Sequence, residues 1–328
     1  MSRVVTFGEI MLRLGPPGHQ RLAQAPCLEV HFGGAEANVA VAIAQLGGEA
    51  EFVTKLPPNE IGDRCLAELR RHGVGTSAIA RGGRRLGIYF VENGASQRAG
   101  QVIYDRAGSA FAEMERSDFD WEKIFATANW FHWSGITPAV SEAAPWIIAS
   151  AQNCAKKLGL TVSFDMNFRA KLWSPEQAAA VLTPLIPSVD VLVCGVDEAR
   201  SVFRIEAADA REAAIGLREK FGLHRVLVPE RRSESASRTS WGATLLSEGK
   251  IWTSRVHEIE IVDRVGAGDA LTGALIFALL RGDPAQQALD FAVAASALKH
   301  TIPGDFNLVS LAEVEALAAG GHGGRVRR

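Results

Sequence analysis

The sequence of 328 residues predicts an α/β protein in which helices cover both faces of a parallel sheet. From residue 124 onwards, short apolar strands alternate with helices, and this alternation is typical of three-layer α/β folds. A β-hairpin between residues 84 and 106 interrupts the pattern. Late in the chain a glycine-rich turn runs directly into a helix at residues 263–275. In parallel α/β sheets ligands bind beyond the carboxyl ends of the strands, so we expect a functional site there.

The composition describes an ordinary globular protein, with 47% hydrophobic and 22% charged residues. With a net charge of −2, nothing in the composition indicates a basic surface for nucleic acid or membrane. The four cysteines are far apart and form no C-x-x-C pair, which argues against structural zinc and against a disulfide scaffold. Glu9 and Arg13 interrupt the first apolar run, and no run approaches the roughly 18 residues of a membrane span. We therefore expect a cytoplasmic enzyme.

The apolar periodicity predicts the elements in chain order. Strands are expected at 4–8, within 11–32, and at 51–55, 86–91, 101–104, 130–133, 161–165, 189–194, 225–229, 242–246 and 251–255. Helices are expected at 39–46, 61–72, 144–158, 176–185, 210–221, 285–300 and 311–319. The polar stretch 231–238 is expected to be a loop, and residues 321–328 a disordered tail.

The hairpin carries the only two tyrosines of the chain, Tyr89 and Tyr104, one on each predicted strand. Asn93-Gly94 between the strands is a strong hairpin signal, and Arg106 follows the second strand. These polar-tipped side chains could line a ligand site. Tyrosines also suit strands without any ligand, so both interpretations stay open at this point.

The segment Gly266-Ala267-Gly268-Asp269 precedes apolar residues at helical spacing. Free N–H groups at a helix start, together with the helix dipole, favour a bound anion such as phosphate. A carboxylate beside such an anion would repel it, so its presence there indicates a function. Asp269 would be suited to remove a proton from an attacking hydroxyl. The alternative is a glycine-rich turn with an ordinary helix N-terminal aspartate.

Two common phosphate-binding motifs are excluded. The P-loop string G-x-x-x-x-G-K-[ST] is absent from the sequence. The dinucleotide fingerprint requires a small residue where Leu271 stands. Zinc, serine-hydrolase and EF-hand strings are absent as well.

The string GGAEAN at residues 33–38 and the string DRVGAGD at 263–269 together resemble the two signatures of the ribokinase-like (pfkB-type) carbohydrate kinases. The resemblance implies a single kinase domain over residues 1–320, with a three-layer α/β/α core. It also implies a small β-sheet lid formed by about 10–33 and 84–107. The implied reaction is ATP-dependent phosphorylation of a sugar, with magnesium carried by the nucleotide.

The resemblance also implies roles for individual residues. Asp269 would be the general base, and the backbone N–H groups of Gly266, Ala267 and Gly268 would hold the phosphoryl oxygens. Gly34 and Asn38 would hold sugar hydroxyls. The implied partners are a small sugar and ATP, with neither nucleic acid nor membrane. Because exposed strand edges tend to pair, we expect a homo-oligomer formed through the lid strands.

A narrower resemblance rests on YDRAGSA at 104–110 and DMNFRAKLW at 165–173, which are similar to 2-keto-3-deoxygluconate kinases. It implies that an acidic sugar is phosphorylated at its 6-position. The substrate positions of that subgroup match Tyr89, Tyr104, Arg106 and Arg169. Arginine suits a planar carboxylate because it offers paired N–H donors. A structural ion pair is the alternative for Arg169.

Three alternatives to this function stay open: a fructokinase or other neutral-sugar kinase of the same fold, a non-catalytic sugar-acid sensor, and a dehydrogenase. The sequence does not separate the gluco from the galacto epimer. It also departs from the family's N-x-x-E motif, since Gly195 stands where asparagine is usual, with Glu198 three residues later. Glu198 would then act on magnesium only indirectly, through water. In some relatives a monovalent cation binds near the positions of Asp263 and the loop after His300, and we expect this as a possible cofactor.

Overall fold

A computed structural model describes residues 2–321 of the chain. Of the predicted tail at 321–328, only residue 321 is among the described residues. Within residues 2–321 no helix is long and apolar enough to cross a membrane.

The strands fall into one large and two smaller sheets. In chain order they are β1 (Arg3–Phe7), β2 (Met11–Gly15), β3 (Glu29–Gly33), β4 (Glu49–Val53), β5 (Lys55–Leu56), β6 (Ala80–Arg81), β7 (Ile88–Glu92), β8 (Gln101–Asp105), β9 (Trp130–Ser134), β10 (Thr161–Asp165), β11 (Val191–Val193), β12 (Arg225–Ser233), β13 (Arg238–Ser247), β14 (Lys250–Thr253) and β15 (His257–Glu260).

The α-helices mostly alternate with the strands of the large sheet. In chain order they are α1 (Ala35–Gln45), α2 (Glu60–Arg71), α3 (Trp121–Phe125), α4 (Thr137–Val140), α5 (Ala144–Lys157), α6 (Pro175–Leu182), α7 (Val196–Ser201), α8 (Ala210–Phe221), α9 (Ala267–Arg281), α10 (Ala285–Lys299) and α11 (Leu311–Ala318). Short 3₁₀ helices cover Arg116–Asp118 and Thr183–Ser188.

The large sheet has nine strands in the order β14-β13-β12-β11-β10-β9-β1-β4, and β15 pairs with β13. Strands β4, β1, β9, β10, β11 and β12 are parallel, as the strand–helix alternation predicts. From β12 to β15 the pairing is antiparallel, because short hairpin turns replace the crossover helices there. The prediction of a parallel sheet is therefore confirmed for the centre of the sheet but not for this edge.

Alternate residues of the strands pack on opposite faces of the large sheet, and helices cover both faces. On β12, Val226 and Val228 belong to a core shared with α5, α6 and α8, whereas Leu227 belongs to a core shared with α9 and α10. All three side chains are buried completely. Near-continuous apolar strands of this kind are expected where a sheet is buried on both sides.

A separate sheet of four strands, in the order β3-β2-β7-β8, lies beside the carboxyl ends of the large sheet's parallel strands. We call it the small sheet. Its strands fall in the segments 10–33 and 84–107. Alternation gives it two different faces: Arg13 of β2 is aligned with Tyr89 of β7 on one, and Leu14 is aligned with Phe90 on the other.

Three local predictions need correction. The predicted loop at 231–238 is wrong: β12 and β13 continue through it as a long hairpin with residues 234–237 at its tip. The helix predicted at 176–185 ends at Leu182, and a 3₁₀ helix follows because Pro184 and Pro187 cannot donate the hydrogen bonds of an α-helix. The hairpin β7–β8 is present, but residues 93–100 join its strands, not a two-residue Asn93-Gly94 turn.

Candidate active site

A cavity of about 1400 Å³ lies between the small sheet and the carboxyl ends of the parallel strands. Asp165 at the end of β10 and Gly195 after β11 line it from the large sheet. Tyr104 on β8 lines it from the small sheet. This is where ligands are expected in an open α/β sheet, and the volume is large enough for two small ligands together.

The start of α9 forms one wall of the cavity. Gly266 is the N-cap residue, with the left-handed backbone angles φ 85° and ψ −3°. A Cβ atom on Gly266 would lie 2.0 Å from the carbonyl oxygen of Asp305. Only glycine therefore permits the chain to turn this closely into the helix.

The backbone N–H groups of Gly266, Gly268 and Asp269 have no acceptor within the described residues. Ala267 differs, because its N–H donates to the carbonyl oxygen of Arg264 at 3.3 Å. A Cβ atom on Gly268 would have no other atom within 4 Å. The helix start is thus an open cradle with three free donors, which suits an anion. Of the three predicted donors, Ala267 is the least available.

Asp269 lies in the first turn of α9 and is only 9% exposed. Its carboxylate accepts a hydrogen bond from Nδ2 of Asn38 at 2.6 Å. Burial raises the pKa of Asp269 to about 7, and this effect outweighs the lowering by Asn38 and by Arg169. A carboxyl group with this pKa can exchange a proton with a ligand near neutral pH.

Asn38 connects the start of α1 to Asp269. Its Oδ1 accepts from the backbone N–H of Gly34, the N-cap residue of α1, at 3.3 Å. A Cβ atom on Gly34 would lie 2.0 Å from the carbonyl oxygen of Glu9, so a larger residue there would displace the segment that joins β1 to β2. Both predicted residues therefore lie in the site, and Asn38 directly orients Asp269.

Glu198 in the first turn of α7 holds two loops together. One carboxylate oxygen accepts from the backbone N–H of Gly195 at 2.7 Å, and the other accepts from that of Phe168 at 2.8 Å. Burial raises the pKa of Glu198. Burial also raises the pKa of the neighbouring Asp165, with further contributions from the charges of Glu198 and Asp269. Among residues 2–321, no group of three or more His, Cys, Asp or Glu side chains could hold a metal ion.

Arg169 follows β10 and points its charge into this acidic part of the cavity. Its side chain is exposed and makes no hydrogen bond or salt bridge within the described chain. Its positive charge lowers the pKa values of Asp165 and Asp269. The turn before it contains Asn167 at φ 39°, a left-handed conformation that asparagine tolerates better than most residues. The alternative interpretation of Arg169, a structural ion pair, is thus not supported within the described residues.

Arg106 has a partner. Its Nε donates to Glu9 Oε2 at 2.8 Å, and its Nη2 contacts the same oxygen. The other oxygen of Glu9 accepts from the hydroxyl of Ser109 at 2.5 Å. The guanidinium carbon lies 5.6 Å from the centre of the Tyr104 ring. Sequence reasoning assigned Arg106 to the substrate and did not identify its partner Glu9, which is 5% exposed.

Tyr89 and Tyr104 face each other across β7 and β8, with ring centroids 6.0 Å apart and planes at 27°. The Tyr89 hydroxyl donates to Asp305 at 2.5 Å. Arg13, one strand away, donates to Asp305 at 2.6 Å and to Asp263 at 2.5 Å. This buried network joins the small sheet to the segments on both sides of Gly266.

Sequence reasoning missed both Arg13 and Asp305. The two residues contact each other although they are 292 positions apart in the sequence. Neither belongs to a local motif, so no short segment indicates their role. The carboxylates of Asp305 and Asp263 raise the pKa of Arg13 despite the opposing effect of burial, so this guanidinium stays charged. Only the odd placement of an arginine inside an apolar strand could have drawn attention to it.

All of the candidate site residues predicted from the sequence line this one cavity. They are Gly34, Asn38, Tyr89, Tyr104, Arg106, Arg169, Glu198, Gly266, Ala267, Gly268 and Asp269.

Comparison with known proteins gives a match to the model of the pfkB family carbohydrate kinases over residues 1–308. The chain is similar to the crystal structure of a 2-dehydro-3-deoxygluconokinase from Thermotoga maritima, with 48% identity and a TM-score of 0.95. That alignment covers 97% of this chain and 98% of the other.

Two curated relatives are similar over most of the chain. A 2-dehydro-3-deoxygalactonokinase from Haloferax volcanii is 38% identical over 323 residues, which is 98% of each chain. A 2-dehydro-3-deoxygluconokinase from Thermoproteus tenax is 32% identical over 314 residues, covering 93% of this chain and 90% of the relative.

Proposed function

The chain belongs to the pfkB family of carbohydrate kinases, and on this basis we propose that it phosphorylates 2-keto-3-deoxygluconate at the 6-hydroxyl with ATP. (This substrate is also called 2-dehydro-3-deoxygluconate.) The observation that carries the proposal is the position of Asp269, which lies beside three free N–H groups at the start of α9. A base and an anion cradle within one helical turn are what phosphoryl transfer to a hydroxyl requires.

In the proposed reaction Asp269 accepts the proton of the sugar hydroxyl. Its pKa of about 7 lets the carboxylate exist near neutral pH and still be a base strong enough to assist. Asn38 donates to one carboxylate oxygen at 2.6 Å, and the other has no donor within residues 2–321, so it is available to the sugar hydroxyl. Asn38 is therefore assigned to orientation of the base, in addition to any contact with the sugar.

ATP, when bound, supplies the phosphoryl group, and the cradle suits its phosphates. Gly268 leaves open space at the helix start, so a phosphate could approach the backbone closely. As negative charge increases on the transferred group, the N–H groups of Gly266, Gly268 and Asp269 stabilise it. We propose that magnesium binds mainly to the phosphates and that Glu198 acts on it only through water, since two backbone N–H groups already occupy its carboxylate.

The acidic sugar is proposed from the charge of Arg169. This guanidinium has no hydrogen-bonded partner within residues 2–321 and lies near Asp269. A planar carboxylate would satisfy two of its N–H donors at once. Arg106 is already paired with Glu9, so we propose that it supports Tyr104 and the cavity wall, and contacts the sugar through its remaining donors.

The small sheet is proposed to act as a lid that excludes water from the reaction. Its outer face carries an apolar row that crosses all four strands, formed by Val30, Leu14, Phe90 and Ile103. Val30 is 38% and Ile103 is 51% exposed. Because β3 and β8 also present free edges, we propose that the small sheet of a second copy of the chain covers this row.

The function is tested with purified protein, ATP and magnesium in an assay that couples ADP release to NADH oxidation. The sugars are the gluco and galacto epimers of the 2-keto-3-deoxy acid, with fructose as the neutral competitor. We expect turnover of one or both acids to exceed that of fructose greatly. Faster turnover of fructose would reject the acidic substrate, and no turnover of any sugar would favour a non-catalytic sensor.

A further inference from the structure

The last residue of α10, Lys299, has a fully buried side chain, at 0% exposure. Its Nζ donates to the carbonyl oxygen of Ile302 at 3.1 Å and to that of Asp263 at 3.5 Å. Lysines are almost never fully buried unless they are paired. The ammonium lies between the loop after α10 and the segment that leads into α9.

Several charged groups face this ammonium. Burial lowers the pKa of Lys299, and the carboxylates of Asp263 and Asp305 oppose that effect. The same two carboxylates bind the guanidinium of Arg13 from the small sheet. Two cationic side chains and two carboxylates therefore form one buried cluster directly behind the start of α9.

The resemblance to the kinase family implies that a monovalent cation could bind at Asp263 and the loop after His300. Proteins hold potassium with oxygen atoms that replace its water shell. Here the His300 carbonyl already accepts from the N–H groups of Val262 and Asp263, at 2.8 and 3.1 Å. The carboxylate of Asp263 accepts from Arg13, and from the N–H groups of Val265 and Gly304 at 3.0 and 3.1 Å.

A cation added at this place would also meet the ammonium of Lys299, and like charges at short range repel strongly in a buried site. The described residues therefore do not fit a bound monovalent cation. The oxygens that such an ion would need already have donors, and a positive charge is already present.

We propose that the ammonium of Lys299 takes the place of a monovalent cation, as a positioning residue for the anion cradle of α9. It fixes the carbonyl of Asp263 at one end of the segment 263–267. One turn earlier on α10, the hydroxyl of Ser296 fixes the other end, by donating to the carbonyl of Ala267 at 2.7 Å. The segment that contains Gly266 is thus held at both ends by α10.

The proposal rests on the proposed function only in taking the start of α9 as the phosphate site. Its first consequence is that the wild-type protein needs no potassium, sodium or ammonium. Its catalytic rate and unfolding midpoint should be the same in KCl, NaCl and NH4Cl as in tetramethylammonium chloride at equal ionic strength. Activation or stabilisation specific to one of the small cations would overturn the proposal.

The second consequence concerns Lys299→Ala, which leaves a cation-sized space beside free carbonyl oxygens. We expect kcat to fall about a hundredfold, because a small misplacement of the cradle is enough for such a loss. NH4+ or K+, but not tetramethylammonium, should restore part of the activity and raise the unfolding midpoint. In Lys299→Met the apolar side chain fills the space, so no cation should restore the activity.

Lys157 provides the matched control, since it is also the last residue of a helix, α5, but is exposed. Lys157→Ala should keep the wild-type rate and unfolding midpoint in every salt. If Lys299→Ala does not fold, its expression and refolding in NH4Cl against tetramethylammonium chloride provide the same comparison. An unfolding midpoint or folding yield of Lys299→Ala that is indifferent to the cation would refute the proposal.

The unfolding measurements require no substrate. They therefore decide the role of Lys299 even if no sugar in the panel is phosphorylated, and the two proposals can fail separately.

Discussion

Replacing the proposed base by its neutral isostere, Asp269→Asn, should lower activity and raise stability at the same time. Folding raises the pKa of this carboxyl group from an ordinary 3.8 to about 7. A tenfold change in proton affinity corresponds to about 1.4 kcal/mol. Holding the ionised form in the folded protein therefore costs about 4 kcal/mol above pH 7, as an upper value.

The sign of the pH dependence follows from which state binds the proton more tightly. Between pH 3.8 and pH 7 the unfolded chain loses the proton of Asp269 while the folded protein keeps it. This carboxyl group therefore makes the free energy of unfolding decrease as pH rises, until the decrease levels off above pH 7. Asparagine has no such proton, so the advantage of the variant should be near zero at pH 4 and largest at pH 8.

The effect on catalysis should have the opposite sign. General-base assistance contributes about 10²- to 10⁴-fold to a rate, and kcat should fall by that factor while the sugar still binds. In the wild-type protein, kcat/KM should rise about tenfold from pH 6 to pH 8, since the base form of a group with a pKa of about 7 increases by that factor.

The assays are urea unfolding at several pH values and the coupled ADP assay. Asp63→Asn is a suitable control because Asp63 also lies in the first turn of a helix, α2, but its side chain is 66% exposed. The control should keep the activity and should not reproduce the stabilisation expected for Asp269→Asn. The reasoning would be wrong if Asp269→Asn kept its rate, or if it lost stability equally at pH 5 and pH 8.

Other substitutions test the cradle, the sugar carboxylate and the second copy. Gly268→Ala should fold normally, since its Cβ meets no atom within 4 Å, yet raise KM for ATP. Gly266→Ala should lower the unfolding midpoint, because its Cβ would lie 2.0 Å from the Asp305 carbonyl; equal effects of the two variants on stability would contradict this geometry. Arg169→Lys keeps the charge but loses the paired donors, so KM should increase more for an acidic sugar than for a neutral analogue. Equal increases would count against carboxylate recognition. Ile103→Lys should convert a dimer to a monomer in sedimentation velocity, and a wild-type monomer at micromolar concentration would remove the proposed contact.

The central elements were predictable because each depends on a local pattern. The helix after Gly266 has apolar residues at helical spacing and glycine where the backbone must turn, and the structure has α9 at this place. Strands β9 and β10 are short and mostly buried, and their apolar residues located both strands from the sequence. Their carboxyl ends then indicated where the cavity would lie.

The hairpin of β12 and β13 was missed in part because its outer half extends beyond the layers of helices. Arg231 and Arg232 on β12 are exposed, so these positions show no apolar alternation and resemble a loop. Backbone pairing forms the strand there, since Arg231 is aligned with Trp241 and Arg232 with Ser240. Cross-strand hydrogen bonds of this kind join backbone groups, so the amino-acid composition of a single segment does not predict them.

The buried ionic contacts were not predictable for a different reason. Asp305 and Lys299 look ordinary in their own segments, and Arg13 is unusual only because it lies within an apolar strand. The contacts of all three depend on how distant parts of the chain pack together. Arg106 shows the same limit, because its salt bridge with Glu9 spans 97 positions. A local motif locates a backbone cradle well, but it does not indicate which charged side chains lie behind it.

The bond between Arg13 and Asp305 also has a consequence for synthesis of the protein on the ribosome. Its two residues are 292 positions apart, and at roughly 5 to 20 residues per second Arg13 leaves the peptidyl-transferase centre about 15 to 60 seconds before Asp305. During that time the strand carrying Arg13 has no carboxylate partner from the end of the chain, and Gly266 has no Asp305 carbonyl against which to pack. The nascent chain therefore cannot assemble a complete cavity until translation is nearly finished, and a prematurely terminated chain would bind ATP poorly and consume none of it.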